Sequence, residues 1–213
     1  MTNVKVLFLI FFLLSMPILK AFAYEPQEGN VTAIIGPFAS RTDYPGSDSI
    51  KAPWFGGFGL IVQGDINKKG ALEIAMFHMQ KAYFRQTGPL LLAEKVELMH
   101  ITMGYRHWIS PLYSASLALS SSYPMNEKSI LHNDFPVNQP ADTSTSDTVD
   151  YGFDLSLQAE LWNSDRYSVV TDVRYGLSVT DKPDEKGSHY GILIGFKYLI
   201  QEKYPRLTKE QKN

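Results

Sequence analysis

Residues 149–179 read VDYGFDLSLQAELWNSDRYSVVTDVRYGLSV, and their alternation decides the fold. Tyr151, Phe153, Leu155, Leu157, Ala159 and Leu161 share one parity, while Gly152, Asp154, Ser156, Gln158 and Glu160 share the other. After a polar turn at residues 163–165 the pattern resumes. Tyr167, Val169, Thr171, Val173, Tyr175, Leu177 and Val179 oppose Ser168, Asp172, Arg174, Gly176 and Ser178, with Val170 the one exception. A period of two, held over roughly ten residues on each side of a short turn, predicts a β-hairpin with one apolar face. The polar parity mixes full charges with Gly and Ser, and the apolar parity carries aromatics near its ends. That is the pattern of a strand with lipid on one side and a narrow wet lumen on the other.

The same period recurs on both sides of the hairpin. Residues 112–122 set Tyr113, Ala115, Leu117 and Leu119 against Ser114, Ser116, Ala118 and Ser120. Residues 95–108 set Met99, Ile101, Met103 and Tyr105 against His100, Thr102 and Arg106. Residues 56–66 set Phe58, Leu60, Val62 and Ile66 against Gly59, Gln63 and Asp65, and near the C-terminus Tyr190, Ile192, Ile194, Phe196 and Tyr198 oppose Gly191, Gly195 and Lys197. Residues 30–39 are less regular, because Val31, Ala33 and Ile35 compete with Ile34 and Phe38, and Pro37 interrupts the run. Residues 71–85 are ambiguous. Leu72, Ala75, Met76, Met79 and Tyr83 would also line one face of a helix. As a strand, Leu72, Ile74 and Met76 oppose Glu73 until the apolar parity moves to Phe77 and Met79. The tight turn at residues 67–70 and the strand that follows favour a strand with a bulge, or with an end projecting above the membrane. Residues 123–148, rich in Pro, Asn, Asp, Ser and Thr, read as a mobile loop and not a second domain.

Eight strands result, and their connections alternate long and short, with short ones near Lys68, Ser110 and Ser164. This predicts an all-β, up-and-down antiparallel transmembrane barrel with short turns and both termini on the periplasmic side, and longer loops outside. Trp108, Tyr113, Trp162, Tyr167 and Tyr198 fall at the short-turn end and Trp54, Tyr151 and Tyr190 at the other, as two interfacial girdles would. Eight strands also fit a secreted lipocalin-like barrel with its apolar face inward. The small residues of the polar parity suit a cramped interior better than a solvated exterior.

Residues 1–23 read as a cleaved signal peptide: Lys5, an apolar run over residues 6–16, then Ala21, Phe22 and Ala23 before Tyr24. The alternative is a single helical anchor, but Pro17 and Lys20 leave the run short of the roughly 20 residues a spanning helix needs. Residues 24–200 form the barrel and residues 201–213 a charged periplasmic tail. The chain has no Cys, so no disulfide framework supports it. Its net charge is −2, and the mature part is more acidic because Lys5 and Lys20 leave with the leader. Nothing in that balance points to nucleic acid.

The pattern resembles the small eight-stranded outer-membrane barrels of Gram-negative bacteria, the OmpA transmembrane domain, OmpX and OmpW type, over nearly the whole mature chain. In the last strand His189, Gly191, Ile194 and Phe196 look like that group's assembly signal, although the chain continues past Tyr198 where many members end on an aromatic. The resemblance implies an outer-membrane location, contact with lipid and with the barrel insertion machinery, and a surface or periplasmic protein partner. A second, local resemblance over residues 34–60, carried by Tyr44, Pro45, Gly46, Ser47, Asp48 and Pro53, is to the MipA/OmpV family. It implies a scaffold for cell-wall synthesis.

No nucleotide loop, metal spacing or esterase elbow is present, and His78, His100, His107, His132 and His189 are scattered. No catalytic, cofactor or metal site is expected. Ser188 and His189 are adjacent and so point to opposite faces, which disfavours a lipid-editing nucleophile and base pair. The inward charges carry more information. Asp65, Glu73, His100, Arg106, Asp154, Glu160, Asp172, Arg174 and Lys197 would share one narrow lumen, where unpaired charge is costly. They read as a plug of ion pairs, with a narrow pore as the alternative. A structural or surface-interaction role through the outer loops follows.

Overall fold

The computed structural model describes residues 24–44, 52–138, 141–146, 149–164 and 166–202. The expected leader at 1–23 and nearly all of the expected tail at 201–213 therefore lie outside the described residues. The strands are β1 (Val31–Thr42), β2 (Phe55–Asp65), β3 (Gly70–Thr87), β4 (Leu90–Trp108), β5 (Tyr113–Pro124), β6 (Ser129–Asn133), β7 (Asp150–Ser164), β8 (Tyr167–Ser178), β9 (Glu185–Lys186) and β10 (His189–Gln201). Eight of them, all but β6 and β9, pair antiparallel in chain order, and β10 pairs back onto β1 from Val31 opposite Gln201 to Thr42 opposite His189. The wall is thereby closed, and its backbone groups need no partner from lipid.

The hairpin at 149–179 becomes β7 and β8, with Leu155 opposite Tyr175 and Leu157 opposite Val173. Its apolar parity faces outward and its polar parity inward, as the exposed Leu155, Leu157 and Val173 and the buried Asp154, Asp172 and Arg174 show. Val170 keeps the inward parity. It joins Ile34, Phe38, Ile61, Phe77, Met79 and Leu193 in an apolar cluster filling part of the lumen. That cluster explains the irregular patterns. Ile34 and Phe38 disturb the first strand because they point inside, and the parity of β3 does not shift at all. Phe77 and Met79 lie on the same inward side as Glu73, and no register shift breaks the pairing of β3 with β2 or β4.

Five expectations are corrected or resolved. Pro37 does not interrupt β1, which runs on opposite β2 with Pro37 across from Phe58 and is skipped only in the ladder to β10. The third strand carries no bulge; it projects. The connection expected between residues 85 and 95 is instead strand, so that β3 and β4 form one long hairpin turned at Gly88, whose φ of 61° suits the missing side chain. Residues 123–148 are not merely a loop, because β6 pairs with β4 and residues 144–146 form a 3-10 turn. Trp108 belongs to no girdle. It shares the inward parity of Arg106 and packs on Tyr24 at 5.3 Å.

The outer limit of the lipid belt on this side is marked by His78 and Glu97, which face outward and pair at 2.6 Å. Beyond it β6, β4, β3 and β9 make a four-stranded sheet in that order, standing above the membrane. One face of the sheet, Ala82, Phe84, Leu91 and Ala93, is covered by Tyr44 and Ala52 from the β1–β2 connection and by Phe55 at the start of β2. The other face looks over the barrel mouth.

Candidate functional site

Inside the wall the charges fall into a column. At the short-turn end Lys197 bonds Glu160 at 2.7 Å and lies 3.7 Å over the ring of Tyr24, while Tyr24 donates to Asp65 at 2.5 Å. At mid-height is a closed square of two guanidiniums and two carboxylates. Arg106 reaches Glu73 at 2.5 Å and Asp172 at 2.9 Å; Arg174 reaches Glu73 at 2.7 Å and Asp172 at 2.7 Å. Each arginine therefore bridges both acids, and the charges cancel. Remaining donors are used as well: Arg106 bonds Ser114 and Ser156, Gln63 joins Glu73 to Gln158, and Arg174 lies 4.8 Å over the ring of Phe77. The plane and fork of arginine make this double bridging available, which a lysine could not reproduce.

Toward the mouth, His100 links Ser122, at 2.8 Å from Nδ1, to Asp154, at 3.2 Å from Nε2. His189 stands edge-on to His100 with ring centroids 5.2 Å apart. Gly176 leaves it that space, since a Cβ there would fall 2.2 Å from its ring. Higher still, Asp150 accepts from Lys81, Tyr83, Ser178 and Thr180 at 2.6 to 2.7 Å. All nine charges expected in the lumen are buried there, and the square, the Lys197 group and the His100 group each gather some of them. Sequence reasoning missed Lys81, Tyr83 and Asp150. Lys81 was legible: it continues the odd parity of Glu73 and Phe77 along an unbroken β3.

A serine, a histidine and an aspartate in series have the residue types of a nucleophile, a base and its orienting group. Ser122 and His100, though not Asp154, line a cavity of ≈ 10 Å³ together with Lys81, Asp150 and His189. That is room for about one water. Ser188 and His189 do not pair either; the Ser188 hydroxyl accepts from the Ser178 amide at 3.3 Å.

Above the column the mouth is crossed by residues 142–146. Glu94, on the inner face of the projecting sheet, accepts from the Thr143 amide and hydroxyl at 3.1 and 2.7 Å and from the Thr145 hydroxyl at 3.0 Å, and pairs with Lys128 at 2.8 Å. Glu185 accepts from the Ser144 amide and hydroxyl at 3.0 and 2.9 Å. Lys182 and Arg85 bind Asp142 at 2.9 and 3.3 Å. Burial alone would push the Glu94 carboxyl up, but the hydrogen bonds from Lys128, Thr143 and Thr145 outweigh it and hold it below the ordinary range. Burial wins at Glu185, whose carboxyl is raised despite the Ser144 and Lys182 amides.

In the last strand Gly191 faces inward, where a Cβ would sit 2.3 Å from the ring of Phe38, and Ile194 and Phe196 face outward. The segment carrying the MipA/OmpV-like motif falls largely on residues 45–51, outside the described residues.

A closed eight-stranded wall with an apolar outer belt, charges inside and a folded cap at one end defines a small transmembrane barrel of the outer-membrane type. No protein-family model matches the chain, and no curated protein matches it. Among solved structures it is similar to the outer membrane protein OprG from Pseudomonas aeruginosa, with TM-score 0.53 and 11% identity over 84% of this chain and 99% of that one. It is also similar to Ail, the attachment invasion locus protein of Yersinia pestis, in complex with the heparin analogue sucrose octasulfate, with TM-score 0.50 and 14% identity over 81% and 100%. Both are of the OmpX/OmpW kind, and the shared property is the fold.

Proposed function

We propose that this barrel is a surface-interaction protein of a Gram-negative outer membrane, acting through its outer cap, with a lumen that serves as a plug. The observation that carries the reading is the Glu73–Arg106–Asp172–Arg174 square. It spans the lumen at mid-height with every acid doubly bridged and an apolar cluster beside it. An eight-stranded barrel has just enough interior for its side chains, and a filled interior leaves the loops as the working part. The cap supports this, because the chain invests a four-stranded sheet, two covering segments and a set of buried carboxylates beyond the lipid belt. The structural likeness to an attachment protein is in keeping with it. Lipid is the partner of the outer belt, and Ile194 and Phe196, exposed on the last strand beside inward Gly191, suit recognition by the insertion machinery.

Single-channel recording of the refolded protein in planar bilayers tests the plug. A silent membrane is the expected result. Steady openings whose conductance changes on replacing Asp172 or Arg174 would establish a narrow pore instead.

A further inference from the structure

The projecting sheet ends in β6 on one side and in β9 on the other, and β6, with five residues against two, is the longer of these edges. Among the described residues, no backbone group pairs along the side of β6 that faces away from β4. Such an edge is a template for another strand. Its side chains are uncovered too: Ile130 is 62% and Leu131 44% exposed, and Leu131, at the register shift, has no counterpart on β4. The sequence around it is complementary to its own reverse. Antiparallel pairing about Leu131 sets Leu131 against Leu131, Ile130 against His132, Ser129 against Asn133 and Lys128 against Asp134. Opposite charges then meet at both ends of an apolar centre, a favourable cross-strand arrangement. Lys128 holds Glu94 of its own chain and Asp134 holds His132, so the contact extends existing ion pairs.

We propose that β6 is a homotypic docking edge, pairing antiparallel with β6 of a second copy of this chain. The pairing reverses strand direction. Because β6 lies along β4, whose inner part is barrel wall, the two barrels are turned end for end with their caps facing, as in apposed membranes. This rests on the surface-interaction reading and names its partner. One five-residue contact is weak, and many between two surfaces multiply.

The test is clustering of phosphatidylcholine–phosphatidylglycerol vesicles carrying the refolded full chain, followed by energy transfer between donor- and acceptor-labelled vesicles. Native vesicles should cluster. L131K and L131E, at an exposed position, should each retain heat-modifiable migration and each lower clustering by about tenfold or more, since every contact then sets like charges face to face. Mixing L131K vesicles with L131E vesicles should restore it. Dispersed native vesicles, clustering indifferent to either variant, or a mixture that stays dispersed would each overturn the docking edge. None of these bears on the bilayer recording, so the plug stands or falls separately.

Discussion

Arg174 shows how a single side chain decides what the lumen is. It is fully buried, and its guanidinium is divided between Glu73 and Asp172, with Asp154 3.9 Å away. Removing it would leave those acids with one arginine between them. Arg174→Leu should therefore cost about 3 to 5 kcal/mol, the penalty for orphaning a buried partner, measured by urea unfolding in lipid vesicles. Arg174→Lys should recover only part of that, because an ammonium offers charge without the fork. An equal loss from both substitutions would mean that the double bridging contributes nothing beyond charge. Parity announced that Arg174 and its partners point inward. Which acid meets which base was not legible, since Glu73 lies 101 residues from Arg174 and meets it only through barrel closure.

At the scale of the strand, one step of sequence exchanges lipid for lumen. Val173 lies beside Asp172 and Arg174 yet is 46% exposed on the outer wall, opposite Leu157. Val173→Arg should destabilise the barrel by roughly 2 to 4 kcal/mol if it lies near mid-membrane, and an unchanged unfolding midpoint would contradict the assigned faces. The segment across the mouth obeys different chemistry. Glu94 is held below its ordinary carboxyl value of 4.5, so its contribution is present above that pH and is lost as pH falls through the lowered value. Glu185 is raised, so its contribution has the opposite sign, strongest at low pH and lost as pH climbs. Glu94→Gln should loosen residues 143 and 145 at pH 7, seen as faster amide exchange after correction for intrinsic rates. The difference from the native chain should close as pH drops below 4.5 and Glu94 itself becomes neutral. A difference constant with pH would show that the attachment does not depend on the carboxylate.

At the scale of the molecule, barrel and cap are separable. β6 is outside the closed ladder, so deleting residues 129–133 should leave insertion and heat-modifiable migration intact while altering whatever the outer face binds. Loss of the folded barrel in that variant, read on an unheated gel, would show that the cap supports the wall. The lumen likewise holds an apolar cluster, drawn mainly from β1, β2 and β3 with Val170 of β8 and Leu193 of β10, beside its charged groups, and this mixture explains why the alternation looked clean in some strands and broken in others.

Alternation alone determined the class of fold, the number of wall strands and the inward set from Asp65 to Lys197, because a period of two assigns a face to every residue of a strand once one face is known. It could not determine where strands end above the lipid. Residues 86–87 and 90–94 look like a loop in isolation and become strand only because β3 and β4 pair over their full length, with Ala52 and Phe55 packed on one face and residues 143–145 bonded on the other. It was equally blind to the apolar cluster in the lumen. An inward Ile34, Phe77 or Val170 reads as an error of pattern until closure of the wall brings these residues, 136 positions apart at the extremes, into one cluster. Local sequence states which way a side chain points. Only closure, which brings β10 against β1 and Glu73 against Arg174, states what it meets there.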